Sequence, residues 1–563
     1  MSAGPSRQFQ PPSGPTAISP YVYGINGFDS LAGNNTNWGL LRQGGDAFTD
    51  YNWANNFSNS GADYCYNQGA QSGGENVLAG AVVDNSLSIP ANQAKGQASL
   101  VTVPILDHVS SNLVNNPWGG NPNGPQCPGN SSCQGSSVAV NTGNLDFASV
   151  DPNSTAFVAN NAAKPGGNLC TCPGPNCGSG CTVSNSGPVY QDEFVNFLRV
   201  NYGNGGAPIF FSLDNEPNYW GSTHPETWTG WNTSEGINAP PCQGDVVTTY
   251  DDIVNRNVTY ATAIKNAWPQ AKVFGPVVAQ DGVMFAHSYS DPHLPTEFID
   301  YYLQQLSAAS TSAGHALIDA FDVHWYTDSS DPTQCVQNPR LFWDPNYTSL
   351  SASQVDQIDM GYSTGDFDNN WYPREIIPRI LGKIANAYPA GGTPAPGVSF
   401  SEYNCGCETS IEGGIAEADL LGVFGREGAF AATAWPLQDP SGNYLVGAFA
   451  VYRNYDGNSS VVGDTAVRAN TSDVTNTSVY AFAHSNNSAA LDVVEINKTN
   501  SSKTTSLQIA NASAFTQVTA YHLVNGSTSM SAVSSAPSIS CSGGSCTLNY
   551  TMPAMSATTL ILR

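Results

Sequence analysis

The chain has 563 residues, with 44 Asp+Glu against 18 Lys+Arg and a formal charge of -26. Its length exceeds what one hydrophobic core organises, so a large domain with a smaller companion is expected. The acidic balance opposes partners that are themselves anionic, nucleic acid and membrane surfaces above all, and leaves a neutral polymer unaffected.

Only 11% of residues are charged, so Asn, Ser, Thr, Gln and Gly supply most of the polar surface. Met1 to Pro15 shows no charged stretch leading into an apolar one, and no apolar run reaches membrane-spanning length. The expectation is a secreted, extracellular, monomeric protein whose signal has been removed. The thirteen cysteines fit an oxidising compartment, with Cys127/Cys133 and Cys541/Cys546 as local pairs and an odd one left over. The cluster Cys170, Cys172, Cys177 and Cys181 reads either as loop disulfides or as a four-thiolate zinc site.

Eight short apolar or β-branched runs follow one another: Val22 to Phe28, Leu40 to Gly45, Ser99 to Leu106, Ile209 to Pro217, Lys272 to Val277, Ala320 to Tyr326, Gly397 to Asn404 and Phe430 to Pro436. Helical patterns lie between several of them. Val254, Val258, Ala261, Ile264 and Trp268 recur at three- and four-residue spacing, as do Phe298, Tyr302 and Leu306, and then Ile376, Ile380 and Ile384. Strands alternating with helices predict an α/β fold, a (β/α)8 TIM barrel over residues 21–446. The stretch 107–189, rich in Gly, Asn, Pro and Cys, reads as a long insertion, either a stapled loop over the barrel mouth or a passive surface excursion. After Gly447 the runs become short and alternating, with Asn/Ser/Gly turns and no helical period. That predicts an antiparallel β-sandwich built from 447–563 together with 1–20, the latter adding an edge strand.

Two of the eight runs end in a glutamate: Ile209-Phe210-Phe211-Ser212-Leu213 runs into Asp214-Asn215-Glu216-Pro217, and Gly397-Val398-Ser399-Phe400 into Ser401-Glu402-Tyr403-Asn404. The carboxyl ends of barrel strands are where such folds hold their chemistry. Two carboxyl groups, one protonated and one ionised, are what glycosidic cleavage by double displacement requires. A lone strand-end glutamate is more often a solvated surface group, but two of them in a charge-poor chain argue for catalysis. Asn215 is a candidate for the sugar 2-hydroxyl, or else a strand-end cap. Tyr326 could donate to Glu402, or simply line the mouth. His324 is read first as a satisfied barrel-mouth histidine. Trp53, Trp220, Trp325 and above all Trp435 are candidates for stacking on pyranose faces, with core packing as the alternative.

Several motifs resemble glycoside hydrolase family 44. They are Tyr51-Asn52-Trp53-Ala54-Asn55-Asn56, Phe211-Ser212-Leu213-Asp214-Asn215-Glu216-Pro217, Lys272-Val273-Phe274-Gly275-Pro276-Val277, Asp322-Val323-His324-Trp325-Tyr326, Ser401-Glu402-Tyr403-Asn404 and Tyr452-Arg453-Asn454-Tyr455-Asp456-Gly457. The resemblance runs from Tyr23 to Lys498. It implies a retaining endo-β-1,4-glucanase active on cellulose-type chains and xyloglucan, with Glu216 as general acid/base and Glu402 as nucleophile. It also implies a polysaccharide partner and no required cofactor, although related enzymes can carry a structural calcium and the Asp/Asn-rich loops could supply oxygen ligands. Where the family pattern after the second strand reads Gly-Gly-Asn-Arg, this chain has Gly44-Gly45-Asp46-Ala47. That departure removes a positive charge near the sugar site, and Cys405 and Cys407 also depart from the pattern. Xylan, mannan or mixed-linkage glucan as substrate, and a non-catalytic carbohydrate-binding role, stand as alternatives.

Overall fold

A computed structural model describes residues 14–27, 36–61, 68–84, 88–111, 157–167, 169, 187–224, 227–228, 230–232, 237–239, 246–279, 291–293, 296–327, 330–347, 375–437, 443–512, 515–535 and 537–563. Eight strands form a closed barrel in sequence order: β1 (Gly24–Asn26), β2 (Leu40–Gln43), β3 (Ala98–Val103), β4 (Ile209–Leu213), β5 (Lys272–Ala279), β6 (Ala320–Tyr326), β7 (Gly397–Asn404) and β8 (Ala431–Ala434). Each falls within or beside one of the eight apolar runs. Every residue of β3, β4 and β8 is buried, as expected for parallel strands covered on both faces.

The chain gathers into two compact units, 41–324 with 383–397, and 1–40 with 325–382 and 398–563. In the first, β4 runs parallel to β3 with Ile209 opposite Ser99, and to β5 with Phe210 opposite Lys272. The helices α1 (Gln191–Tyr202), α2 (Tyr250–Ala267) and α3 (Phe298–Ala313) belong to it. Helix α2 starts at Thr249 because its hydroxyl accepts from Asp252 N while the Asp252 carboxylate accepts from Thr249 N, a reciprocal cap. Its apolar stripe is the expected one, with Val254, Ala261 and Ile264 buried. Within the predicted insertion, His108–Ser110 pairs antiparallel with Phe157–Asn161, which runs parallel to Val189–Tyr190. Cys127, Cys133 and the Cys170 to Cys181 cluster lie outside the described residues.

In the second unit β8 lies parallel to β1, with Thr433 opposite Gly24. A Cβ on Gly24 would sit 2.5 Å from the Ala432 carbonyl oxygen, so this close pairing needs glycine. Helix α4 (Ile376–Ala387) lies between β6 and β7 in the chain, and α5 (Ile411–Glu427) follows β7 and stops at Gly428, whose φ of 74° no β-carbon-bearing residue adopts easily. Helix α6 (Leu445–Arg453) follows β8. It corrects the expectation of no helix after Gly447. Leu445, Ala448, Phe449, Val451 and Tyr452 are all buried, so the helix is apolar all round and shows no amphipathic period.

The antiparallel part has a seven-stranded sheet ordered Thr16–Ala17, Thr465–Val467, β9 (Thr477–His484), β10 (Asn487–Asn497), β14 (Ser556–Leu562), β12 (Val518–Val524) and Ser531–Ala532. A second sheet joins β11 (Lys503–Ala510), β13 (Ser545–Met552) and Ser538–Ser542. Burial alternates residue by residue along β11, the period of a strand with one face on the core. Val493, Leu548, Met552, Leu560 and Leu562 form the centre, with Leu507 and Ile509 packed on it. Thr16–Ala17 is an edge strand, antiparallel to Thr465–Val467. Cys541 and Cys546 form a disulfide, and so do Cys335 and Cys407. Cys405 is buried and unpaired.

Candidate active site

The fourth strand ends in a strained turn. Asp214 and Glu216 both have left-handed backbones, with φ of 69° and 43°, a conformation that costs about 1–3 kcal/mol at each such residue unless its surroundings enforce it. They do enforce it here. The Asp214 carboxylate accepts from Ile105 N at 2.6 Å and from Asn215 N at 2.8 Å, and Glu216 N donates to the Val277 carbonyl at 2.9 Å. Burial pushes the Asp214 carboxyl up to about 6, against the lowering effect of these hydrogen bonds. Pro217 then opens a 3-10 turn, Pro217–Tyr219, so Glu216 avoids the right-handed helical region, as the proline requires. The Glu216 side chain keeps 20% exposure, and its Oε1 lies 2.9 Å from Nδ1 of the fully buried His324. His324 is thus a satisfied histidine at the barrel mouth, and the group that satisfies it is Glu216.

Asn215 is buried, and its Oδ1 accepts from Arg42 Nη2 at 2.9 Å. With its oxygen held by a cation, the side chain keeps its N–H2 as a donor end. Arg42 was missed at the level of sequence, although a lone charge inside Leu40-Leu41-Arg42-Gln43 was a readable signal. This fully buried guanidinium stands on β2, two residues before Gly44. Asp46 has a separate role. Its Oδ1 lies 3.0 Å from His224 Nε2, while Asp50 Oδ2 lies 3.3 Å from His224 Nδ1.

In the second unit Glu402 sits within β7 and is 6% exposed. The Tyr326 hydroxyl, at the end of β6, donates to its Oε2 at 2.7 Å. A phenol in this position is a donor, and a donor suits an ionised carboxylate. Next along β7, the Tyr403 hydroxyl donates to Glu417 Oε1 at 2.6 Å, deep under α5. Burial pushes Glu417 up to about 8, with the Tyr403 bond pulling the other way.

The tryptophans divide. Trp435 follows β8, is partly exposed, and its main-chain N–H donates to the Tyr403 carbonyl at 2.9 Å. Trp53, Trp220 and Trp325 are corrected to core residues. Trp53 is 1% exposed and stacked on Phe194 at 5.6 Å, Trp220 packs against Trp228 at 5.0 Å, and Trp325 lies edge-on to Phe342 at 6.0 Å. A ring closed in by other side chains cannot offer a face to a sugar.

The sequence model of glycoside hydrolase family 44 matches residues 57–329. The chain is 31% identical over 517 residues to endoglucanase A of Paenibacillus lautus, covering 86% of this chain and 62% of that protein. It is 32% identical over 519 residues to a β-mannanase/endoglucanase A of Caldicellulosiruptor saccharolyticus, of which it spans 34%. Among solved structures, a family 44 xyloglucanase of Paenibacillus polymyxa with xyloglucan is 26% identical, with a TM-score of 0.75 over 97% of each chain. The chain therefore spans about three fifths and one third of the two curated relatives, and nearly all of the solved xyloglucanase. With the family motifs, the barrel and the strand-end glutamates in agreement, the chain belongs to glycoside hydrolase family 44.

Proposed function

We propose that the protein is a secreted, monomeric, retaining endo-β-1,4-glucanase that cleaves cellulose-type β-glucans and xyloglucan. One observation carries the reading. Two glutamates lie at or just past the carboxyl ends of β4 and β7 of one closed barrel, each with a partner suited to a different protonation state. Glu216 faces an imidazole nitrogen, a group able to donate to a carboxylate or accept from a carboxylic acid, which suits a residue that must give and then retake a proton. Glu402 faces a hydroxyl donor, which suits an anion that attacks the anomeric carbon.

In the first step Glu402 Oε bonds to the anomeric carbon as the glycosidic C–O bond breaks, and Glu216 delivers its proton to the leaving oxygen. In the second, water attacks that carbon, gives its proton to Glu216, and releases Glu402 with the original configuration restored. In this reading Asn215, whose oxygen Arg42 holds, bonds the sugar 2-hydroxyl, and Trp435 stacks beneath a pyranose ring. This chemistry needs no cofactor. The names of the relatives, endoglucanase, xyloglucanase and β-mannanase/endoglucanase, favour β-1,4-linked chains.

The test is purified protein on β-glucan, xyloglucan, mannan and xylan, with reducing ends counted and the anomer of the fresh product followed by NMR. Release of β-anomer from β-glucan or xyloglucan is the expected result. Initial α-anomer would overturn the retaining assignment, and activity confined to xylan or mannan would overturn the substrate class.

A further inference from the structure

Glu408 lies in the short loop between β7 and α5, is 2% exposed, and plays no part in the steps above. Three N–H groups converge on its carboxylate. Oε1 accepts from Asn404 Nδ2 and from Leu437 N, the latter at 2.7 Å, and Oε2 accepts from Asn443 Nδ2 at 2.7 Å. Its main-chain carbonyl takes a fourth, from Tyr444 N at 2.8 Å. These donors come from two places. Asn404 ends β7, two residues beyond Glu402, whereas Leu437, Asn443 and Tyr444 belong to the segment joining β8 to α6. Asn404 Nδ2 also donates to the Trp435 carbonyl at 2.8 Å, so the two strand ends share one knot.

The outer side of that knot faces solvent. Trp435 is partly exposed and Leu437 is 56% exposed, a large open apolar side chain next to the candidate sugar platform. Asn404 and Asn443, which donate to Glu408, are buried. The carboxylate thus ties the start and the end of the segment between β8 and α6, at Leu437 and Asn443, to the end of β7.

We propose that Glu408 is a positioning residue, whose carboxylate fixes Trp435 and Leu437 as a platform for the polysaccharide and so governs grip on the chain rather than bond cleavage. The inference rests on the function proposed above and adds a specificity determinant to it. A carboxylate is required because it only accepts. Glutamine would turn an N–H2 toward donors on one side or the other, leaving two donors face to face.

Glu408→Gln and wild type are compared on the β-glucan that wild type cleaves, with melting temperature measured in parallel. Wild-type activity tests the function by itself, so a failure there is separate from a failure here. KM is expected to rise about tenfold, the weight of a charge-assisted hydrogen-bond group, with kcat within about threefold. An unchanged KM, or a fall in kcat at constant KM, would overturn the proposal whatever happens to the melting temperature. If Glu408→Gln does not fold, Asn443→Ala removes one donor and leaves the carboxylate, and a rise in KM without loss of kcat is then the expected result. An unchanged KM in that variant overturns the proposal. If wild type cleaves no polysaccharide, calorimetric titration with cellohexaose takes the place of KM, and equal Kd for wild type and variant overturns it.

Discussion

The turn after β4 and the body of β7 carry the two glutamates in opposite ways. Glu216 stands on a backbone in the left-handed region, reached through a strained Asp214 and closed by Pro217. Glu402 sits in an extended strand buried along nearly its whole length. The strained turn lifts a side chain out to 20% exposure beside a titratable ring, and the regular strand keeps its glutamate at 6% exposure beside a phenol. On the proposed assignment, backbone irregularity falls where a proton would travel, and regularity where an anion would hold still.

Removing each carboxylate should break this comparison in distinct ways. Glu402→Ala is expected to lower kcat on polysaccharide by on the order of 10⁴-fold or more, with no substrate spared, because the proposed covalent intermediate forms on that carboxylate. Measuring kcat on β-glucan and on an aryl cellobioside with a good leaving group checks this. Glu216→Ala should cost roughly 10²–10⁴-fold on polysaccharide and far less on the aryl substrate, whose leaving group needs little protonation. Equal losses on both substrates would mean that Glu216 is not the acid. Tyr326→Phe removes the donor on Glu402 and should cost about tenfold, the value of one hydrogen bond to a charged group, while shifting the acid limb of the kcat/KM profile upward.

The smallest expected effect sharpens the comparison from below. Glu417 is held up to about 8, so the folded chain keeps a proton there that the unfolded chain releases above its ordinary 4.5. Stability from this source is present in acid and falls as pH rises through that window, by at most about 1.4 kcal/mol per pH unit. Glu417→Gln should flatten the fall in melting temperature between pH 5 and pH 8, and an unchanged slope would show that Glu417 ionises freely.

The eight barrel strands were legible because buried parallel strands are short, apolar and repeated, and each run announced itself. The two glutamates were legible because a charge at the end of such a run is conspicuous. Helix α6 was not, since Leu445 to Arg453 is apolar on every side and no period distinguishes it from a strand. The tryptophans were ambiguous for a related reason. Sequence shows that Trp53, Trp220 and Trp325 are large and flat, but only packing shows that other side chains already cover them. Arg42 and Glu408 act through partners 173 positions away in the first case and up to 35 in the second, a separation that motif reading does not cross.

The Cys335–Cys407 bond joins positions 72 residues apart, one after β6 and one after β7. Tyr326 ends the first of these strands and Glu402 lies in the second, so the loops that follow the donor and its acceptor are covalently married. By loop-closure reasoning a crosslink of that span is worth about 4 kcal/mol against the reduced chain. The choice of expression host then becomes a structural variable: the same gene product made in a reducing cytoplasm or in an oxidising periplasm would leave the ribosome identical and reach the assay as two differently reinforced catalysts.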